Sequence, residues 1–211
     1  MKKIIFIVFF ILLFLSCINL KDEYPKFHYY RFTQFPGQSS EMSFGTLKGS
    51  LQIRDFTISE EIDNENLSAI YNKINVKKYF YHRWISNISD MVTEFIINRY
   101  SKLNIFEGGV IKSSSLIIPD YILEGQILDM GFYVNDDKDK NNYVDLSMRI
   151  TLLKRSNINT ENSVILNKIF SVKYPVEDDD VEVIPIAYSR ALAQITDQML
   201  IEIIDKIIEH Y

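Results

Sequence analysis

Two runs decide the fold: YILEGQILDMGFYV, Tyr121 to Val134, and VDLSMRITL, Val144 to Leu152. The second alternates without a slip. Val144, Leu146, Met148, Ile150 and Leu152 fall on one side, with Asp145, Ser147, Arg149 and Thr151 on the other. Period two means a strand with one buried face. The first run is apolar over fourteen residues and reads as a longer strand, with an irregularity expected at Gly131. Val164 to Tyr174 repeats the alternation less strictly. The connectors, Asn135 to Asn142 and Ser156 to Ser163, are short and polar, which suits antiparallel neighbours.

Helical periods flank these strands. Downstream, the acidic loop Glu177 to Asp180 leads to Pro185, and Ile186 to Tyr211 reads as a long helix. Its buried stripe is Ala191, Leu192, Ile195, Met199, Ile203 and Ile207, widened by Leu200, Ile204 and Ile208. That width implies contact with the sheet and permits contact with a partner or a second copy. Upstream, Ile85, Ile88, Met91, Val92, Phe95, Ile96, Tyr100 and Leu103 recur at steps of three and four, a helix of about five turns. Ser86 or Asn87 can cap it, and Asn104 closes it before Gly108-Gly109.

The earlier residues add strands. Phe27 to Gln34 is aromatic-rich and reads as one, followed by a loop at Pro36 to Ser40. Leu51 to Phe56 alternates. Leu67 to Asn72 and Val76 to His82 form a β-hairpin around Lys73 to Asn75. The expected architecture is α+β: a mostly antiparallel curved sheet with two long helices on one face. The first helix is long enough to serve as a crossover, so parallel pairing of early strands is allowed.

A separate signal opens the chain. Met1-Lys2-Lys3 is basic, Ile4 to Leu15 is unbroken Ile, Phe, Val and Leu, and Ser16-Cys17 follows. A basic start, a short apolar run and a small residue describe a secretory signal, about half the length a membrane span needs. Cys17 is the single cysteine of the chain. Its thiol is the one nucleophile there that can accept a diacylglyceryl group. Phe14-Leu15-Ser16-Cys17 is similar to a bacterial lipobox, with Phe14 where Leu is usual. The chain therefore divides into a lipoprotein signal peptide (1–16), a tether with a lipidated cysteine (17–26) and one domain (27–211). About 195 residues suffice for one sizeable core. Apolar content of 47% with 13% aromatics excludes a disordered chain.

Charge and motif chemistry narrow the function. Without Lys2 and Lys3, 21 cations face 28 carboxylates, a net charge of about −7. That balance, with no Lys/Arg stripe, argues against nucleic acid as a partner. His28, His82 and His210 share no metal-ligand spacing. Asp137 to Asn141 starts like a calcium loop but has Asn142 for the required Gly and Met148 for the required Glu. Glu177 to Asp180 could gather a cation but reads as a charged loop before a helix. Gly45 to Ser50 has its Lys before the second Gly and is no phosphate loop. No Gly-x-Ser-x-Gly elbow exists. Nothing calls for a metal, a cofactor or catalysis.

One stretch remains: Tyr79-Phe80-Tyr81-His82-Arg83-Trp84, with the single tryptophan. Either it locks the first helix onto the sheet, or Tyr79, His82, Arg83 and Trp84 form a partner-docking patch. Together with Leu51 to Phe56, Ile70-Tyr71, Asp120 to Gly125 and Ala187 to Leu192, its His82-Arg83-Trp84 resembles the ABC-type transport auxiliary lipoprotein family, the PqiC-like group. Asn72 stands where that family often has Arg, and Ser86-Asn87 lack its usual proline.

The resemblance implies a non-enzymatic, lipid-anchored periplasmic protein. Its partners would be an MCE-type substrate-binding protein and an ABC permease with its ATPase, and its task to dock the periplasmic end of a lipid conduit. Ile18 is not the Asp that retains lipoproteins on the inner membrane in some bacteria, which favours the outer membrane. The alternative is a lipoprotein that activates or scaffolds another envelope machine, such as a peptidoglycan synthase or a secretion pore. A direct lipid carrier would need an apolar cavity between sheet and helices. If Cys17 carries the anchor, a Cys17→Ala variant leaves the membrane fraction. Unchanged membrane retention on cell fractionation would refute it.

Overall fold

The periodicities translate into nine strands and two helices in a computed structural model, which describes residues 24–35, 45–60, 62, 65–135, 141–155, 163–177 and 180–210. In chain order these are β1 (His28–Tyr30), β2 (Leu51–Ile53), β3 (Thr57–Ile58), β4 (Asn66–Tyr71), β5 (Asn75–Trp84), α1 (Ile88–Leu103), β6 (Val110–Lys112), β7 (Tyr121–Val134), β8 (Asn142–Lys154), β9 (Ser163–Val176) and α2 (Val183–Glu209). The leader, Cys17 and the Pro36 to Ser40 loop lie outside the described residues.

β7 is the axis of the sheet. β8 pairs antiparallel with it along one edge, and β9 with β8. The other edge of β7 takes three short strands end to end, all parallel to it: β2 at Tyr121–Leu123, β3 at Gln126–Ile127 and β4 at Tyr133–Val134. β6 extends the sheet beyond β2, while β5 and then β1 extend it beyond β4. The long pairs are antiparallel, and the allowed crossover is used: β4 precedes α1 and β7 follows it, running parallel. β8 alternates as the sequence requires, with Val144, Leu146, Met148, Ile150 and Leu152 all buried under the helices.

Both helices cover one face of this open, curved sheet. The stripe of α2 is buried throughout, including Leu200 and Ile204, whereas Ile208 at its end is 59% exposed. The helices are tied by charge. The Arg99 guanidinium donates to Asp197 in a fork, Nε to Oδ1 at 2.7 Å and Nη2 to Oδ2 at 2.6 Å, with Arg99 only 2% exposed. One position on, the Tyr100 hydroxyl donates to the Thr196 carbonyl at 2.8 Å, and burial pushes that phenol far above its ordinary range.

Several expectations shift. The first strand pairs only over His28–Tyr30, because the next residues bind helices instead: the Thr33 amide donates to Ser189 Oγ and the Gln34 side-chain amide to the Phe95 carbonyl. Leu51 to Phe56 breaks after Ile53, since the Phe56 amide turns to Thr93 Oγ1 at 2.9 Å. The first helix begins at Ile88, not Ile85. The Ile85 amide is held by the Tyr30 carbonyl at 2.9 Å, in line with the sheet. Asn87 occupies the N-cap position without a side-chain cap bond, and Asn104 closes the helix with φ 49°.

The irregularity in β7 lies between Ile127 and Asp129, leaving Leu128 unpaired, and not at Gly131, which pairs in register with Asp145. Gly131 instead leaves room for the Tyr133 ring and Ile70. The last helix begins three residues early, at Val183. Pro185 fits its first turn, where no amide donor is required.

Removing one member of a buried ion pair leaves the other charge unsolvated, at a cost of about 3–5 kcal/mol. Arg99→Ala therefore lowers the urea midpoint sharply, and Arg99→Met with Asp197→Leu recovers most of the loss. Equal loss in the single and double variants would refute this account.

Candidate functional site

Backbone pairing assembles the aromatic stretch. β5 leaves β4 through a bulge: Leu67 pairs with Tyr79, yet Asn66 pairs with Arg83. Phe80, Tyr81 and His82 thus face no residue of β4. Extra residues in one strand re-aim its side chains, and on its other edge β5 meets β1 from His82 onward. The two strands run parallel, with His28 beside His82, Tyr29 beside Arg83 and Tyr30 beside Trp84.

Alternation then sorts the side chains between two faces. On the helix side, His28 and His82 stack with ring centroids 4.9 Å apart. His82 Nδ1 lies 2.7 Å from the Tyr30 hydroxyl. Tyr79 meets His82 edge-on at 6.3 Å. His28 Nδ1 is 3.6 Å from Glu182 at the start of α2. Trp84 sits deepest, 4% exposed, against Phe32 at 4.9 Å and Tyr188 of α2 at 5.9 Å. On the opposite side, Arg83 lies over the Phe27 ring at 4.6 Å, and Phe27 packs on Tyr81 at 5.5 Å. Phe27, Tyr29 and Tyr81 are 48%, 59% and 44% exposed. Tyr79 and His82 thus share one face with Trp84, whose indole is in the core, while Arg83 belongs to the other.

Burial lowers the His82 pKa below its ordinary value, the His28 charge lowers it further, and Glu182 and Asp180 oppose both. Burial likewise raises the Tyr30 hydroxyl, helped by the same two carboxylates. Among the described residues no group of three or more His, Cys, Asp or Glu could hold a metal ion. The core of the calcium-loop stretch and Asp178-Asp179 lie outside the described residues.

The other singled-out stretch has a structural role. Gly49 turns with φ +90°, and the Ser50 amide and hydroxyl both donate to Asp120 Oδ2, at 2.8 and 3.0 Å. Grooves exist but are open. One of about 500 Å³ runs between Arg31 to Gln34 and α1, lined by Ile85, Met91 and Lys102 among others. Sequence reasoning passed over Leu116-Ile117-Ile118, which stand 101%, 56% and 71% exposed beyond β6. The signal was there: three aliphatics in a row between Ser113-Ser114-Ser115 and Pro119, outside any alternating run.

Quoted motifs far apart in the chain meet in space. Asp120 holds Ser50. Phe56 lies over Gly125, where a Cβ would come within 2.0 Å of its ring. Trp84 packs on Tyr188. The sequence model for the ABC-type transport auxiliary lipoprotein component matches residues 30–200, from Tyr30 in β1 to Leu200 in α2.

The chain belongs to this family.

Solved structures share the fold of this auxiliary lipoprotein component. Protein XCC0632 from Xanthomonas campestris is 16% identical with a TM-score of 0.65, covering 82% of this chain and 91% of its own. An uncharacterized protein is 10% identical with a TM-score of 0.60, covering 84% and 99%. The hypothetical protein CT253 from Chlamydia trachomatis is 14% identical with a TM-score of 0.50, covering 72% and 96%. No curated protein matches the chain.

A histidine whose pKa is lower folded than unfolded stabilises the fold above about pH 6.5 and withdraws that stability as pH falls toward the folded pKa. The His82 contribution is therefore present at neutral pH and lost on acidification. His82→Asn should flatten the pH dependence of unfolding below pH 6.5, and the His82 ring should titrate by NMR below that value. A midpoint above it would contradict the reading.

Proposed function

We propose that this family member is a lipid-anchored, periplasmic auxiliary component of an ABC-type, MCE-associated lipid transport system, seated on the outer membrane through Cys17. It is an adaptor and not an enzyme. Its task is to dock or support the periplasmic end of the conduit. Energy comes from the separate ATPase. The observation that carries this reading is the family match, which spans α1, α2 as far as Leu200 and all but the first two residues of the strand assembly.

The surface supports docking over carriage. A lipid carrier encloses its cargo in an apolar cavity, whereas the groove beside α1 is open and mixes Arg31, Asp90, Glu94 and Lys102 with its apolar residues. Partner contact falls to groups left accessible: Tyr79, His82 and Arg83, with Phe27 and Tyr81 beside them. Trp84 acts from beneath, holding β5 against α2. Tyrosine and arginine favour such interfaces because they combine large contact area with directed polar groups.

Cross-linking in cells followed by purification of the chain should recover an MCE-type substrate-binding protein and a permease. Arg83→Ala should reduce that recovery without altering thermal unfolding. Recovery of cell-wall synthesis or secretion proteins in their place would favour the scaffold alternative and overturn the transport reading.

A further inference from the structure

The hairpin between β4 and β5 is more apolar and more basic at its surface than a solvated turn requires. Ile74 is 81% exposed, Val76 59% and Phe80 67%. Lys73, Lys77 and Lys78 are exposed around them. From Asn66 to Ser89 the chain holds no carboxylate and four cations, in a protein with a net charge of −5. Asn72 and Lys73 turn with φ 52° and 61°, closing a tight tip.

The register fixes where the tether enters. β1 runs parallel to β5, so Phe27, just before it, lies beside Tyr81, on the hairpin side of His82. Phe27 on Tyr81 continues that register, and Tyr24 is 92% exposed. Ten residues lie between Cys17 and His28, eleven Cα steps with a reach of about 40 Å at most. An acyl group on Cys17 therefore holds this end of the sheet near the bilayer. Among the described acidic residues, Asp145 on β8 and Glu177 after β9 lie farther across the sheet at this end, and Asp180 and Glu182 sit on the helix side, where Glu182 meets His28.

We infer that the β4–β5 hairpin is a second, non-covalent membrane contact: Ile74, Val76 and Phe80 enter the headgroup layer while Lys73, Lys77 and Lys78 bind anionic phospholipid. Such contacts combine buried apolar area with charge attraction. The anchor limits distance, and the hairpin sets orientation, presenting the opposite end of the sheet and the Leu116 to Ile118 loop away from the bilayer.

This inference rests on the lipid-anchor reading, and its test separates the two. The described core begins at Tyr30, so a chain of residues 18–211 keeps all of it while lacking cysteine and acyl group. That chain should float with vesicles of phosphatidylglycerol and phosphatidylethanolamine. Ile74→Ser with Lys77→Ser and Lys78→Ser should weaken partitioning by about thirtyfold, given about fivefold for each lysine at an anionic surface, with unchanged thermal unfolding. Absence of flotation, or equal flotation of the variant, would overturn the inference and leave the hairpin to a protein partner. Acylation of Cys17 is read independently from the mass of the native N-terminus.

Discussion

The central constraint is the shared edge of β7. One fourteen-residue strand must satisfy the backbone groups of three short strands laid along it, β2, β3 and β4. Short strands have few ladder bonds and little buried area of their own. They hold because side chains lock them where they touch. Asp120, just before β7, accepts from both the amide and hydroxyl of Ser50 at the head of β2. Gly125 lacks the Cβ that would exclude the Phe56 ring between β2 and β3. β4 is held from its other side by β5.

The helices complete this arrangement because they reach the segments between the short strands. Thr93 of α1 accepts the Phe56 amide, and Ser189 of α2 accepts that of Thr33. The Arg99–Asp197 fork fixes one helix against the other, and with it the groups that hold those segments. A buried fork specifies orientation as well as proximity, since both nitrogens must meet both oxygens.

The candidate site inherits its two-faced character from the bulge in β5. Without it, Phe80 to His82 would pair with β4 and carry the regular hairpin onward. With it, they leave that ladder, while the opposite edge of β5 pairs with β1 over His82 to Trp84. Proximity of β1, the aromatic patch and the basic hairpin is thus a consequence of register and not of composition. The aromatic patch on β1 and β5 and the basic hairpin of β4 and β5 share one strand, β5.

The sequence by itself determined the long elements, the closing turns and the family. Unbroken alternation in Val144–Leu152 and the three-and-four spacing of Ala191–Ile207 leave one buried face each, so local period alone places them. The order of the motifs from Leu51 to Leu192 is a linear property and survives without coordinates. Tertiary structure decided what local pattern could not. Leu51 to Phe56 breaks after Ile53 because Thr93 takes the Phe56 amide, and Ile85 stays out of a helix because Tyr30 takes its own. The β7 bulge falls at Leu128, since a glycine can pair regularly when neighbouring rings fill its space. Trp84 shows the difference most clearly. Its residue type is equally suited to a core and an interface, and only the approach of Phe32 and Tyr188 from distant parts of the chain puts its indole inside.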